Sequence, residues 1–92
     1  MNRKMITSTI KQFIMQIADR RSLPITNIGE EDSLVEDLGL NSLDIATLIS
    51  LLETKYEVDP FAENKAVITE IYNVKGLCDV YFDCLADLKN ED

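Results

Sequence analysis

A small all-α bundle is the fold class this sequence predicts, on three observations. Apolar residues recur at steps of three and four in separate stretches, the spacing of one face of a helix. No stretch alternates apolar and polar residues in the way a half-buried strand does. Glycine occurs only 3 times in 92 residues, which leaves little material for hairpin turns. The expected architecture is a four-helix bundle, three main helices plus one short one, with a long loop between the first two. A length of 92 residues suits one domain covering residues 1–92.

The first helix is read over residues 4–20, where Ile6, Ile10, Phe13, Ile14 and Ile17 form one stripe. Arg20 and Arg21 stand where cations meet the negative pole of the helix dipole, and Pro24 enforces the stop. The stretch that follows, SLPITNIGEEDSLVEDLGL, has no helical period. Loops of that length are uncommon in compact domains unless they are functional or packed. Leu23, Ile25, Ile28, Leu34, Leu38 and Leu40 recur through it, so it is expected to lie across the core.

The second helix is read over Ser42–Tyr56, with Ile45, Leu48, Ile49, Leu52 and Tyr56 inward and Leu43 off that stripe. Pro60 breaks the pattern. A short, weaker helix is expected over residues 62–72, ending near Ile68, Ile71 and Tyr72. Asn73 is a cap for the last helix, whose stripe is Val74, Leu77, Cys78, Tyr81, Cys84, Leu85 and Leu88. The tail KNED is expected to fray.

Composition excludes several functions. There are 17 Asp and Glu against 9 Lys and Arg, a net charge of −8, so a nucleic acid backbone would be repelled. Basic patches on other proteins would be attracted. Histidine is absent, which removes the usual base behind a nucleophilic serine and the commonest metal ligand. A self-contained Ser-His-Asp hydrolase is therefore excluded, and no metal site is expected. Cys78 and Cys84 lie too far apart on one helix to bridge and read as apolar fillers of a reduced protein. The opening MNRKMITSTIKQF lacks the apolar run of a secretory signal, and no stretch approaches the roughly 18 apolar residues of a membrane span. A cytoplasmic monomer is the expectation.

The segment GLNSLD, residues 39–44, carries the chemistry. Asn41 is a good N-cap, which makes Ser42 the first helical residue. Unpaired N–H groups and the positive helix pole then lie beside the serine oxygen, a setting that stabilises a phosphate ester. Nothing in the chain activates Ser42, so any modification needs a base and a donor from another protein. As a lone tetrapeptide, NSLD is equally a routine helix start with a capping acid at Asp44.

The longer run DSLVEDLGLNSLDIATLISLLETKYEVD resembles the central segment of acyl carrier proteins. Asp32, Ser33, Leu34, Glu36, Asp37, Leu38, Gly39, Leu40, Ser42, Leu43, Asp44 and Tyr56 follow that family's pattern in order. The resemblance implies 4′-phosphopantetheine attached at Ser42, donated by coenzyme A through a phosphopantetheinyl transferase. It implies that Leu43 is gripped by partner enzymes, that Asp37 and Asp44 meet their basic docking patches, and that Glu53 does so more weakly. The arm's thiol would hold an acyl group as a thioester for acyl-loading and acyl-processing enzymes of fatty acid, polyketide or specialised lipid biosynthesis. The protein itself would catalyse nothing. One departure is Asn41, where fatty-acid carriers usually have Asp. Thr47, Thr54 and Lys55 also replace frequent carboxylates, so a specialised carrier is expected. Two alternatives stand beside this reading: a peptidyl or aminoacyl carrier of a nonribosomal system, and an unmodified acidic helical adaptor.

Overall fold

The computed structural model describes residues 2–61 and 71–89. Three helices follow in order, α1 over Arg3–Arg21, α2 over Ser42–Tyr56 and α3 over Val74–Lys89. Each begins where a side chain satisfies a backbone N–H that the first helical turn leaves unpaired. Asn2 accepts from Met5 N at 2.9 Å, Asn41 from Asp44 N at 2.8 Å, and Asn73 from Gly76 N at 2.8 Å. At the far end of α1, Ser22 takes the left-handed conformation at φ 56°, and Leu23 N reaches back to the Ala18 carbonyl at 2.8 Å.

The three stripes read from the sequence meet in one core. Ile6, Ile10, Ile14 and Ile17 of α1 pack with Leu48 and Leu52 of α2 and with Val74, Leu77, Cys78 and Tyr81 of α3. α1 lies against both other helices. The long first loop is packed as expected: Leu34, Leu38 and Leu40 are buried, and Leu23, Ile25 and Ile28 lie against the same cluster. The loop is also stitched to the segment before α3. Leu34 N donates to Tyr72 O at 3.0 Å, Val74 N to Asp32 O at 3.1 Å and Lys75 N to Glu30 O at 2.8 Å. This pairing, a bridge between Ser33 and Asn73, leaves no trace in the local sequence pattern.

Arg3 draws the same three parts together, with Nη1 2.6 Å from Glu30 and Nη2 2.7 Å from Asp79. The short helix expected over 62–72 lies, for residues 62–70, outside the described residues. Ile71 and Tyr72 are not helical. Leu88 and the tail from Asn90 onward also fall outside what is described of side chains and backbone, respectively.

One core group is out of balance. Tyr81 is fully buried beside the Tyr56 and Phe61 rings, at centroid distances of 6.5 and 6.3 Å. Its hydroxyl finds no hydrogen-bond partner among the described residues. Burial pushes its phenol above the ordinary range, and the charges of Glu53 and Asp59 add to the shift. A buried hydroxyl left unpaired costs about 1–3 kcal/mol, so Tyr81→Phe should raise stability by about 1 kcal/mol at neutral pH. Because the folded state holds the proton more tightly than the unfolded chain, this tyrosine's contribution is intact below about pH 10 and declines above it. Chemical denaturation at neutral and alkaline pH should show both the gain and a shallower alkaline loss in the variant. A variant less stable than the parent at neutral pH would mean that the hydroxyl is satisfied.

Candidate functional site

The approach to α2 is built by one turn of the loop. Ser33 Oγ accepts from Glu36 N at 3.0 Å, and the Asp37 carboxylate accepts from Ser33 N at 2.7 Å. Leu38 N closes the turn on Ser33 O at 3.0 Å. Gly39 then reverses the chain at φ 75°, a region costly for residues with a Cβ. An added Cβ there would meet nothing within 4 Å, so backbone conformation alone asks for glycine. Beyond it Leu40 plunges into the core, and Asn41 emerges in an extended conformation as the N-cap.

At the mouth of α2 a reciprocal capping box is complete. Asn41 Oδ1 accepts from Asp44 N at 2.8 Å, while Asp44 Oδ2 accepts from Asn41 N at 3.0 Å. Arg21, at the end of α1, donates through Nη1 to the same Asp44 oxygen. Ser42 is the first residue of the helix and its side chain is exposed. The N–H groups of Ser42 and Leu43 precede the first intrahelical acceptors and have no partner among the described residues. An exposed hydroxyl, two unclaimed donors and the positive helix pole fit a phosphate ester at Ser42.

The other residues expected at a partner face part company. Leu43 is 76% exposed on the turn that carries Ser42. Asp37 is exposed, with one oxygen engaged by its own turn. Glu53 is half-buried, roughly 16 Å further along α2 from Ser42 at 1.5 Å per residue. Asp44, expected to face partners, is instead turned inward at 5% exposure and held by Asn41 and Arg21. Its place as the third helical residue explains this: a capping-box acid must bend back over the cap. Arg21 is the residue that the sequence reading missed. It was assigned only to the helix dipole, and nothing local signals a partner across the intervening loop. Val35 and Tyr72 were also missed; both are large exposed apolar side chains, and the Tyr72 hydroxyl lies 3.3 Å from Glu36.

Among the described residues no helix is long and apolar enough to cross a membrane, and no group of His, Cys, Asp and Glu is placed to hold a metal.

Residues 9–64 match the family described as "Phosphopantetheine attachment site". An acyl carrier protein of Clostridium acetobutylicum is 37% identical over 60 residues, covering 62% of this chain and 78% of that protein. One from Campylobacter jejuni subsp. doylei shows the same identity and coverage, 37% over 60 residues. In three dimensions the chain is similar to MacpD, an acyl carrier protein from Pseudomonas fluorescens involved in mupirocin biosynthesis. The TM-score is 0.74 at 37% identity, over 86% of this chain and 69% of that one. The chain belongs to the acyl carrier protein family, whose prosthetic group is a covalently attached 4′-phosphopantetheine. Members of this family interact with the transferase that installs the arm and then carry acyl groups on it for other enzymes.

Proposed function

We propose that Ser42 is the attachment residue and that this chain is a single-domain, monomeric carrier, residues 1–92, working in the cytoplasm of a specialised biosynthetic system. The observation that carries the reading is Ser42 itself: an exposed hydroxyl at the first position of α2, beside two unclaimed backbone donors. Ser42 Oγ would attack the phosphorus of coenzyme A that bears the pantetheine arm; the pyrophosphate bond breaks and adenosine 3′,5′-bisphosphate leaves. The hydroxyl proton goes to a base that the transferase provides, and the phosphodiester so formed faces those backbone donors. The arm's thiol then holds the acyl group as a thioester, activated for transfer and kept at high effective concentration before each partner.

Secondary metabolism is favoured over bulk fatty acid synthesis on two grounds. The fold's likeness to a carrier from mupirocin biosynthesis points that way. So does the second helix, where Thr47, Thr54 and Lys55 thin out the acidic face. The net charge of −8 favours acyl over aminoacyl cargo, since aminoacyl carriers are commonly less acidic.

Incubating the apo protein with coenzyme A and a broad-specificity transferase, followed by intact mass and peptide mapping, tests the assignment. One phosphopantetheine on the peptide bearing Ser42 is the expected result; an unmodified protein, or an adduct elsewhere, overturns it.

Leu43 is the apolar contact in this reading, with Asp37, and Glu53 more weakly, as acidic ones around it. Removing most of an apolar side chain that docking buries should cost about 1.5 kcal/mol, roughly a tenfold loss in kcat/KM with the transferase or a loading enzyme. Leu43→Ala should show that loss with an unchanged melting temperature, because the side chain supports no packing in the free protein. Equal kcat/KM for the two proteins would remove Leu43 from the docking surface.

A further inference from the structure

The residue before Ser42 is half committed. Asp44 N needs an acceptor, so the side-chain oxygen of Asn41 faces into the capping box at 2.8 Å. That fixes the orientation of the amide, since the flipped form would set two donors against each other. The amide nitrogen, Nδ2, is left on the outer side of an exposed residue, and its two protons have no partner among the described residues. The backbone N–H of Asn41 is already taken by Asp44, and the Asp44 carboxylate is held by Arg21. The cap can therefore offer an incoming anion nothing from Asp44, and only Nδ2 from Asn41.

Resting on the assignment of the arm to Ser42, we propose that Asn41 Nδ2 donates a hydrogen bond to a non-bridging phosphodiester oxygen of 4′-phosphopantetheine. It acts with the N–H groups of Ser42 and Leu43 as a third donor. Adjacent residues stand about 3.8 Å apart at Cα, which puts an ester on Ser42 Oγ within reach of the neighbouring amide. The bond pins the root of the arm across the mouth of α2. A carboxylate at this position would cap the helix equally well but would set a negative charge against the phosphodiester. Asn41 in this chain is thus a binding residue for the prosthetic group as well as a cap.

The side-chain amide of Asn41 reports the bond directly. In ¹⁵N-labelled protein, conversion from apo to holo should move one Nδ2 proton downfield. Its solvent exchange should slow about tenfold, equivalent to roughly 1.5 kcal/mol, the low end for a bond to a charged acceptor. The side-chain amides of Asn2 and Asn27 should stay in place. Asn41→Asp retains the cap and so should fold. Its holo form should show a displaced ³¹P resonance for the arm and a larger drop in melting temperature on modification than the parent shows. If the Ser42 backbone resonance moves on modification while the Asn41 side chain keeps its shift and exchange rate, the bond is absent and the attachment assignment stands. A ³¹P resonance identical in Asn41→Asp also overturns the proposal. Failure of Ser42 to take up the arm at all, shown by mass, removes both.

Discussion

Ser42→Ala should fold as the parent does and take up no phosphopantetheine at all. The two halves of that result come from different parts of the site. The cap is made by the Asn41 and Asp44 side chains, and no hydrogen bond needed for the helix start comes from the Ser42 hydroxyl. Alanine is also the best helix former, so the change at the first helical position should move stability by less than about 0.5 kcal/mol. The chemistry, in contrast, has no substitute. Ser33 is buried at 1% exposure with its hydroxyl engaged by Glu36 N, and Ser22 holds the left-handed cap of α1. Ser8 and Ser50 are exposed, but both lie inside helices, remote from the unpaired N–H groups of an N-terminus. Intact mass after a long incubation with excess transferase reads the outcome, and circular dichroism reads the fold. An adduct on the alanine variant would place the arm elsewhere and end the assignment.

What the sequence revealed tracks how local the cause is. α2 runs over Ser42–Tyr56 as read, because Asn41 before it and Pro60 after it act within a few residues. The buried leucines of the loop were equally legible, since an apolar side chain repeated through a polar stretch has only the core to go to. Exposure of Leu43 followed from its position off the stripe. The misjudged residues are those whose partners lie far along the chain. Asp44 was read both as a capping acid and as a charge facing partners, since an acid at the third helical position has two destinations, outward to solvent or back over the cap. The cation supplied by Arg21 is what makes the inward choice affordable at 5% exposure. The bridge between Ser33 and Asn73 is likewise a long-range pairing of single residues, too short to create an alternating pattern.

That inward turn of Asp44 sets the second large effect. The carboxylate joins the end of α1, the last residue of the loop and the start of α2. Arg21→Met retains the apolar stem and removes the charge, leaving a buried anion with the Asn41 N–H as its remaining partner. Breaking a fully buried pair costs about 3–5 kcal/mol; with the Arg21 side chain 39% exposed, screening should lower that to about 2 kcal/mol. Asp44→Asn retains an acceptor for Asn41 N but leaves the guanidinium unmatched in a partly wet site, a smaller loss of about 1 kcal/mol. The double variant removes both charges together, so its loss should fall short of the sum by about 1 kcal/mol. Urea denaturation of the four proteins measures this coupling. Strict additivity would show that the contact contributes nothing beyond each residue's separate interactions. Amide exchange at Asn41 and Asp44, whose N–H groups the capping box holds, should quicken in Arg21→Met beyond the change at the centre of α3, because the capping box is what the ion pair braces. Uniform quickening across all three helices would instead mean that Arg21 supports the bundle as a whole and has no special hold on the helix mouth where the arm is attached.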